Sequence, residues 1–263
     1  MKHREELYRY KFDLLPSEFD KRDYVVETVY YGTAKLPEEY TTIPELPPVR
    51  DQGEQGSCSA MTAAVMKEYQ ERKDLGFTDH MSPQFVYNLR DNSHSEGMTP
   101  RNTMQILQKS GILPEVVYPY GSRKAIGDKL LREAANFKIY SYGRLHTLEA
   151  AKAAMFANGP IYFGFPVYNP NNPKFWIQEY NGQPMIGGHA VAGVGWTKEG
   201  IIIRNSWGTY WGNRGYTLYP FEEWGMHWEA WTTLDADSCQ EKLEELLNNY
   251  KKPRCSLFKW FKK

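Results

Sequence analysis

The hydrophobic pattern changes character near Ile139, and that change restricts the chain to a fold with two unlike halves. Before it, the stretch from Ser57 to Tyr69 is alanine-rich, its apolar positions recur at three and four residues, and Gly76 stops it, which predicts a buried helix. A second helix is expected over residues 100 to 109, with Ile106 and Leu107 on its inner face and Gly111 just beyond its end. After Ile139 come short β-rich runs at residues 161 to 165, 190 to 196, 200 to 204 and 215 to 219, separated by Gly, Pro and Asn turns. A helix near residues 148 to 157 precedes the Asn158-Gly159-Pro160 break. The pattern predicts an α+β protein, with a helical lobe and a β-rich lobe packed across a cleft.

The chain has 263 residues, enough to bury a sizeable core in one large domain or two lobes. Apolar residues make up 41% and charged residues 24%, which excludes long-range disorder. Basic and acidic residues balance at 32 each, so the chain as a whole has no bias toward nucleic acid. The N-terminal sequence scatters charges through its length and lacks the apolar run of a secretory signal. No window approaches the roughly 20 apolar residues of a membrane-spanning helix. The cysteines are Cys58, Cys239 and Cys255, an odd set that cannot form a disulfide framework and suits a reducing compartment. A cytoplasmic protein is therefore expected, with a monomer as the simpler oligomeric state.

Residues 1 to 46 are rich in tyrosine and charge and show no sustained period. Two readings are open: a structural arm, or a short pro-segment lying through the cleft. At the other end, residues 237 to 250 predict an amphipathic helix with Cys239, Leu243, Leu246 and Tyr250 on one side. The tail from Lys251 to Lys263 holds six basic residues interleaved with Leu257, Phe258, Trp260 and Phe261. Contact with a membrane surface or nucleic acid is one use of such a tail; a solvated terminus, or packing on its own protein, is the plainer one.

Cys58 falls in the first turn of the predicted helix, where unpaired backbone N–H groups and the positive end of the helix dipole favour a thiolate. Taken alone, it would equally serve as a small buried apolar residue. His189 is the best partner among six histidines, because Gly187, Gly188 and Ala190 around it let another chain approach a rigid strand. His80, His94, His146 and His227 lack such company and read as surface or structural residues. No paired cysteines or closely spaced histidines provide zinc-like ligands, and Gly193-Val194-Gly195 lacks the strand-turn-helix setting of a nucleotide loop, so no cofactor or metal is expected.

Three blocks together resemble the papain and cathepsin cysteine peptidases: Val49-Arg50-Asp51-Gln52-Gly53-Glu54-Gln55-Gly56-Ser57-Cys58, the His189 strand 131 residues after Cys58, and Ile203-Arg204-Asn205-Ser206-Trp207-Gly208. The resemblance spans about residues 47 to 234, with weaker echoes at Tyr118-Pro119-Tyr120 and Gly215-Tyr216. It implies a papain-like two-lobe fold, with a helical left lobe over about 47 to 136 and a β-barrel-like right lobe over about 137 to 234. It also implies Cys58 as nucleophile, His189 as proton carrier and Asn205 as the acceptor that orients the imidazole. Gln52 and the Cys58 N–H would form the oxyanion hole, and Trp207 would shield the histidine–asparagine hydrogen bond, with Gly187, Gly188 and Ser57 in support.

Three departures lie close to the chemistry. Gln55 stands where the family usually has a second cysteine, Ser59 replaces a common aromatic residue, and Gly188 replaces a frequent aspartate or asparagine. The implied activity is endopeptidase cleavage of a polypeptide through a thiolate–imidazolium pair and an acyl-enzyme. The short leader and missing signal resemble microbial or viral members, so host cytoplasm or a virion belongs to the same expectation. Acyl transfer or isopeptide hydrolysis uses the same chemistry, and a non-catalytic module with its cleft blocked by the N-terminal segment is the rival from another class.

Overall fold

A computed structural model describes residues 9–26, 35–236 and 240–251. Cys239, Cys255 and the basic-aromatic tail lie outside the described residues.

The first long element, α1 (Cys58–Leu75), is buried on every side from Cys58 to Glu71. Such all-round burial belongs to a helix inside a protein rather than on its surface. Gly76 ends it in the left-handed region at φ 66° and returns its N–H to Arg72, the C-terminal arrangement a Cβ would strain. Around one side of α1 pack α2 (Pro83–Asn88) and α3 (Pro100–Lys109). Ser82 caps α2 by accepting from the Phe85 N–H, and Thr99 caps α3 by accepting from the Asn102 N–H. With α4 (Asp128–Ala134) they enclose a core around Phe85, Leu107, Leu113 and Phe137. The helices α2 and α4 have no counterpart in the sequence-based expectation: six and seven residues give too few turns for an apolar period to register.

The second half builds a seven-stranded antiparallel sheet, with β1 (Tyr40–Thr41), β2 (Ile139–Leu145), β3 (Ile161–Val167), β4 (Gly187–Trp196), β5 (Gly200–Arg204), β6 (Tyr216–Pro220) and β7 (Glu229–Asp235). The order is β2-β7-β3-β4-β5-β6, and β1 pairs with β4. Helix α5 (Leu148–Asn158) covers one face, its Thr147 cap accepting from Ala150. The strands β3 and β4 are almost wholly buried, so they read as continuous apolar runs rather than alternating ones. Behind them, aromatic rings including Phe163, Phe165, Trp176 and Tyr219 fill the lobe.

Two stretches read from sequence as one leader divide in space. Residues 40–42 belong to the sheet: Tyr40 pairs with Trp196, and the Thr42 N–H donates to the Val194 carbonyl. Residues 9–26 instead cross the cleft between the lobes. The last helix, α6 (Gln240–Lys251), lays Leu243 and Leu246 on the helical lobe.

Candidate active site

Pairing in the sheet sets the histidine and asparagine side by side. Ala192 of β4 is opposite Arg204 of β5, so His189 lies on β4 while Asn205 follows the end of β5. The His189 Nε2–H donates to Asn205 Oδ1 at 2.7 Å, and that oxygen also accepts the Ser206 N–H at 2.7 Å. The amide oxygen is thereby fixed toward the ring. Trp207 stacks on the imidazole with centroids 4.3 Å apart and planes 29° from parallel, so it covers this hydrogen bond from water as expected.

Cys58 is the first residue of α1, with Ser57 as N-cap, and is 1% exposed. It packs in one apolar cluster with Ala190, the strand residue next to His189. His189 Nδ1 is buried without a hydrogen-bond partner. Burial pushes the Cys58 thiol up to about 12 and the His189 imidazole down to about 3. Burial in this covered state works against charge on both partners of the ion pair that the resemblance implies.

Gln52 is 1% exposed and tied to the asparagine loop twice: its N–H donates to the Ser206 carbonyl at 2.8 Å, and its Oε1 accepts from Ser206 Oγ at 2.7 Å. With the oxygen so engaged, Nε2 is left as donor, given in this state to the Gln55 carbonyl at 3.0 Å. Asp51 is bridged to Trp207, and the Gly208 N–H donates to the Arg50 carbonyl, so the two loops close on each other across the chain. Ser57 does not cap α1 with its side chain; its hydroxyl meets the Tyr120 hydroxyl at 2.6 Å.

What covers the site is the chain's own residues 9–26. The Gly188 N–H donates to the Phe12 carbonyl at 2.9 Å, and the Leu14 N–H donates to the Gly188 carbonyl at 3.2 Å, adding the segment to β4 as a parallel bridge at Asp13. The adjoining glycines make the approach feasible. A Cβ on Gly187, which has φ 152°, would meet the Phe12 oxygen at 2.1 Å, and one on Gly188 would meet the Leu14 oxygen at 2.4 Å. Leu14 is 3% exposed and shares an apolar cluster with Cys58, Met66, Tyr162, Ala190 and Trp231. Tyr10 and Phe12 pack on Trp207. Further along, Asp23 accepts from Arg101 at 2.5 and 3.0 Å and from Arg144 at 2.8 Å, and the Ser17 N–H donates to Glu229 at 2.7 Å.

The sequence argument thus names Gln52, Cys58, His189, Asn205 and Trp207, which the fold brings together, and Gly187 and Gly188, whose use is backbone access. It misses Leu14, Asp23, Arg101, Arg144 and Tyr120. The arm residues carry no period, and Tyr120 is visible only as part of the Tyr-Pro-Tyr echo.

Comparison with known proteins bears on the family and the fold. The model of the papain family of cysteine proteases matches residues 37–227. An uncharacterized peptidase C1-like protein of Acanthamoeba polyphaga mimivirus is 29% identical over 80% of this chain and 75% of its own length. Cathepsin K of Gallus gallus is 32% identical over 65% of this chain, which spans only 54% of that relative. Among solved structures, xylellain, a cysteine protease from Xylella fastidiosa, superposes with a TM-score of 0.74 at 25% identity, covering 87% of this chain and 97% of xylellain. Digestive procathepsin L2 from Tenebrio molitor larval midgut shares the fold, with a TM-score of 0.68 at 20% identity over 88% of this chain and 80% of its own. With more than half of its length matched by the family model, the chain belongs to the papain family of cysteine proteases.

Proposed function

We propose that the protein is a cysteine endopeptidase whose nucleophile is Cys58 and whose cleft is closed by its own residues 9–26. The observation that carries this reading is the His189–Asn205 hydrogen bond beside a cysteine at a helix N-terminus, under an arm that sets Leu14 against Cys58 and packs Tyr10 and Phe12 on Trp207. When the arm leaves, water returns to the thiol and the imidazole, and the burial that opposes their charge is lifted. The helix N-terminus then favours the thiolate, and His189 takes the proton on Nδ1 while Nε2–H stays bonded to Asn205. The thiolate attacks a peptide carbonyl; the Cys58 N–H and Gln52 Nε2 receive the oxyanion. His189 passes its proton to the leaving amine, and water, deprotonated by the imidazole, releases the acid product and restores the thiol.

The pocket that Leu14 fills supports a substrate preference. Its walls are apolar and aromatic, from Tyr162, Ala190 and Trp231, so a polypeptide with a leucine-sized side chain near the cleaved bond fits it. Labelling with an electrophilic epoxide followed by mass mapping tests the whole reading. Full-length protein should label slowly at Cys58, and protein lacking residues 1–34 should label at least tenfold faster. This truncation leaves the Tyr40–Thr42 pairing intact. Cys58 that stays unlabelled in a folded truncated chain would reject the reading.

A further inference from the structure

The loop that carries Gln52 must hold two donors within a few tenths of an ångström, yet it lacks the cross-link that the family commonly places there, since Gln55 stands at the cysteine position and Cys58 is a free thiol. Something else must anchor it. The Tyr120 hydroxyl touches both ends of the loop: it donates to the Gln52 carbonyl at 2.8 Å and accepts from the Ser57 hydroxyl at 2.6 Å. The loop between these contacts, residues 52 to 57, is the segment that aims the Gln52 side chain and starts α1.

Tyr120 is itself fixed. Its N–H donates to Glu115 Oε1 at 3.2 Å, Glu115 pairs with Arg50 at 2.5 Å, and the Arg50 guanidinium lies 5.7 Å over the Tyr120 ring. Arg50 precedes Gln52 by two residues, so the circuit starts and ends on the same loop. Burial pushes the phenol up to about 12, which keeps the hydroxyl a neutral donor throughout the working range. Among the described residues, the hydrogen bonds of Tyr120 go to Gln52, Ser57 and Glu115, not to residues 9–26.

We infer that Tyr120 is a positioning residue for the oxyanion-binding loop, doing through two hydrogen bonds what a covalent cross-link would otherwise do. The inference rests on the peptidase reading above. Losing the hydroxyl leaves the Gln52 carbonyl and the Ser57 hydroxyl without this partner and lets the loop drift. The effect should fall on the step that needs the oxyanion hole, since a misplacement of about 1 Å can cost on the order of 10²-fold in rate.

The test compares two reactions of Cys58 in the same full-length protein. Peptide hydrolysis needs the oxyanion hole, whereas alkylation by iodoacetamide, a direct displacement at carbon, does not. Both require the arm to open, so their ratio is insensitive to opening. Tyr120→Phe should lower kcat for a leucine-containing peptide at least tenfold, with KM within about twofold and the alkylation rate within about twofold. Adding Gln52→Ala to Tyr120→Phe should cost little more than Gln52→Ala alone, because both act on one donor. Unchanged hydrolysis in Tyr120→Phe overturns the inference, as does a parallel fall in hydrolysis and alkylation, which would mark a general structural role. Wild-type protein that alkylates at Cys58 but never cleaves peptides would instead sink the peptidase reading itself.

Discussion

Tyr10 lies nearly parallel to Trp207, with ring centroids 5.3 Å apart and planes 17° from parallel, and its hydroxyl donates to the Trp207 carbonyl. Because Trp207 is also stacked on His189, the arm is fastened to the same indole that shields the catalytic ring. Tyr10→Ala removes a side chain that is 4% exposed. Deleting a buried aromatic ring costs about 3 kcal/mol. All of that cost falls on the covered state, so epoxide labelling of Cys58 in the full chain should speed up by roughly 100- to 200-fold. A rate that stays within twofold of wild type would mean that the arm is held elsewhere, at Leu14 or Asp23.

Closure should depend on pH in a definite direction. Burial presses the Cys58 thiol up to about 12 and the His189 imidazole down to about 3, so covering the site favours thiol and imidazole over the thiolate–imidazolium pair; both forms hold the same number of protons, and this exchange adds no pH dependence while the pair persists. Asp13 on the arm does bind a proton: burial, then the neighbouring Glu96, raises its carboxyl, which favours docking as pH falls. Labelling of full-length protein should therefore slow from pH 7 to 5, by less than the roughly tenfold per unit that one proton allows. In Asp13→Asn this slowing should be lost. Rates that fall equally with pH in both proteins would contradict this account.

The oxyanion assignment makes a separable claim about Gln52. Its Oε1 is taken by Ser206 and only Nε2 can donate outward. Gln52→Ala should lower peptide turnover about 10²- to 10³-fold while leaving iodoacetamide alkylation of Cys58 close to wild type. Equal losses in both reactions would place Gln52 in the packing of the loop instead.

How much of this could be read from the sequence depends on the kind of residue. Helices α1 and α3 and strand β5 are legible because alanine, capping residues, and isoleucine runs bounded by glycine act locally. Cys58, His189 and Asn205 are legible because their neighbours are fixed by local geometry: a helix start, a glycine-lined strand and a turn closed by Gly208 at φ 74°. The cover is legible only as one of two readings of the leader, and its contacts are not legible at all. Leu14 and Asp23 are held by Gly188, Arg101 and Arg144, all remote in sequence, and no local pattern encodes such partners. Gly188 shows the limit best: in the sequence it reads as the replacement of a frequent aspartate or asparagine, whereas in space a Cβ there would strike the Leu14 carbonyl and the Trp228 ring.

The buried ion cluster on α1 supplies a prediction about stability rather than turnover. Lys67 is fully buried, bonded to Asp235 of β7, to Glu71 at 2.7 Å and to the Lys138 carbonyl at 3.2 Å, so it ties the central helix to the β-rich lobe. Lys67→Ala would remove the buried cation from beside Glu71 and Asp235, a change that typically costs about 3–5 kcal/mol. In a chain of this size that corresponds to a Tm lower by roughly 10 °C. Burial already raises the Asp235 carboxyl, and Lys67 is the partner that pulls it back down. Without the lysine the carboxyl binds its proton more readily in the folded state than in the unfolded one. The stability deficit of the variant should therefore be largest at neutral pH and shrink as pH falls through the raised range of Asp235. Melting curves of wild type and Lys67→Ala between pH 7 and 5 decide it: a gap that stays constant or widens on acidification would show that Lys67 acts through packing, not charge.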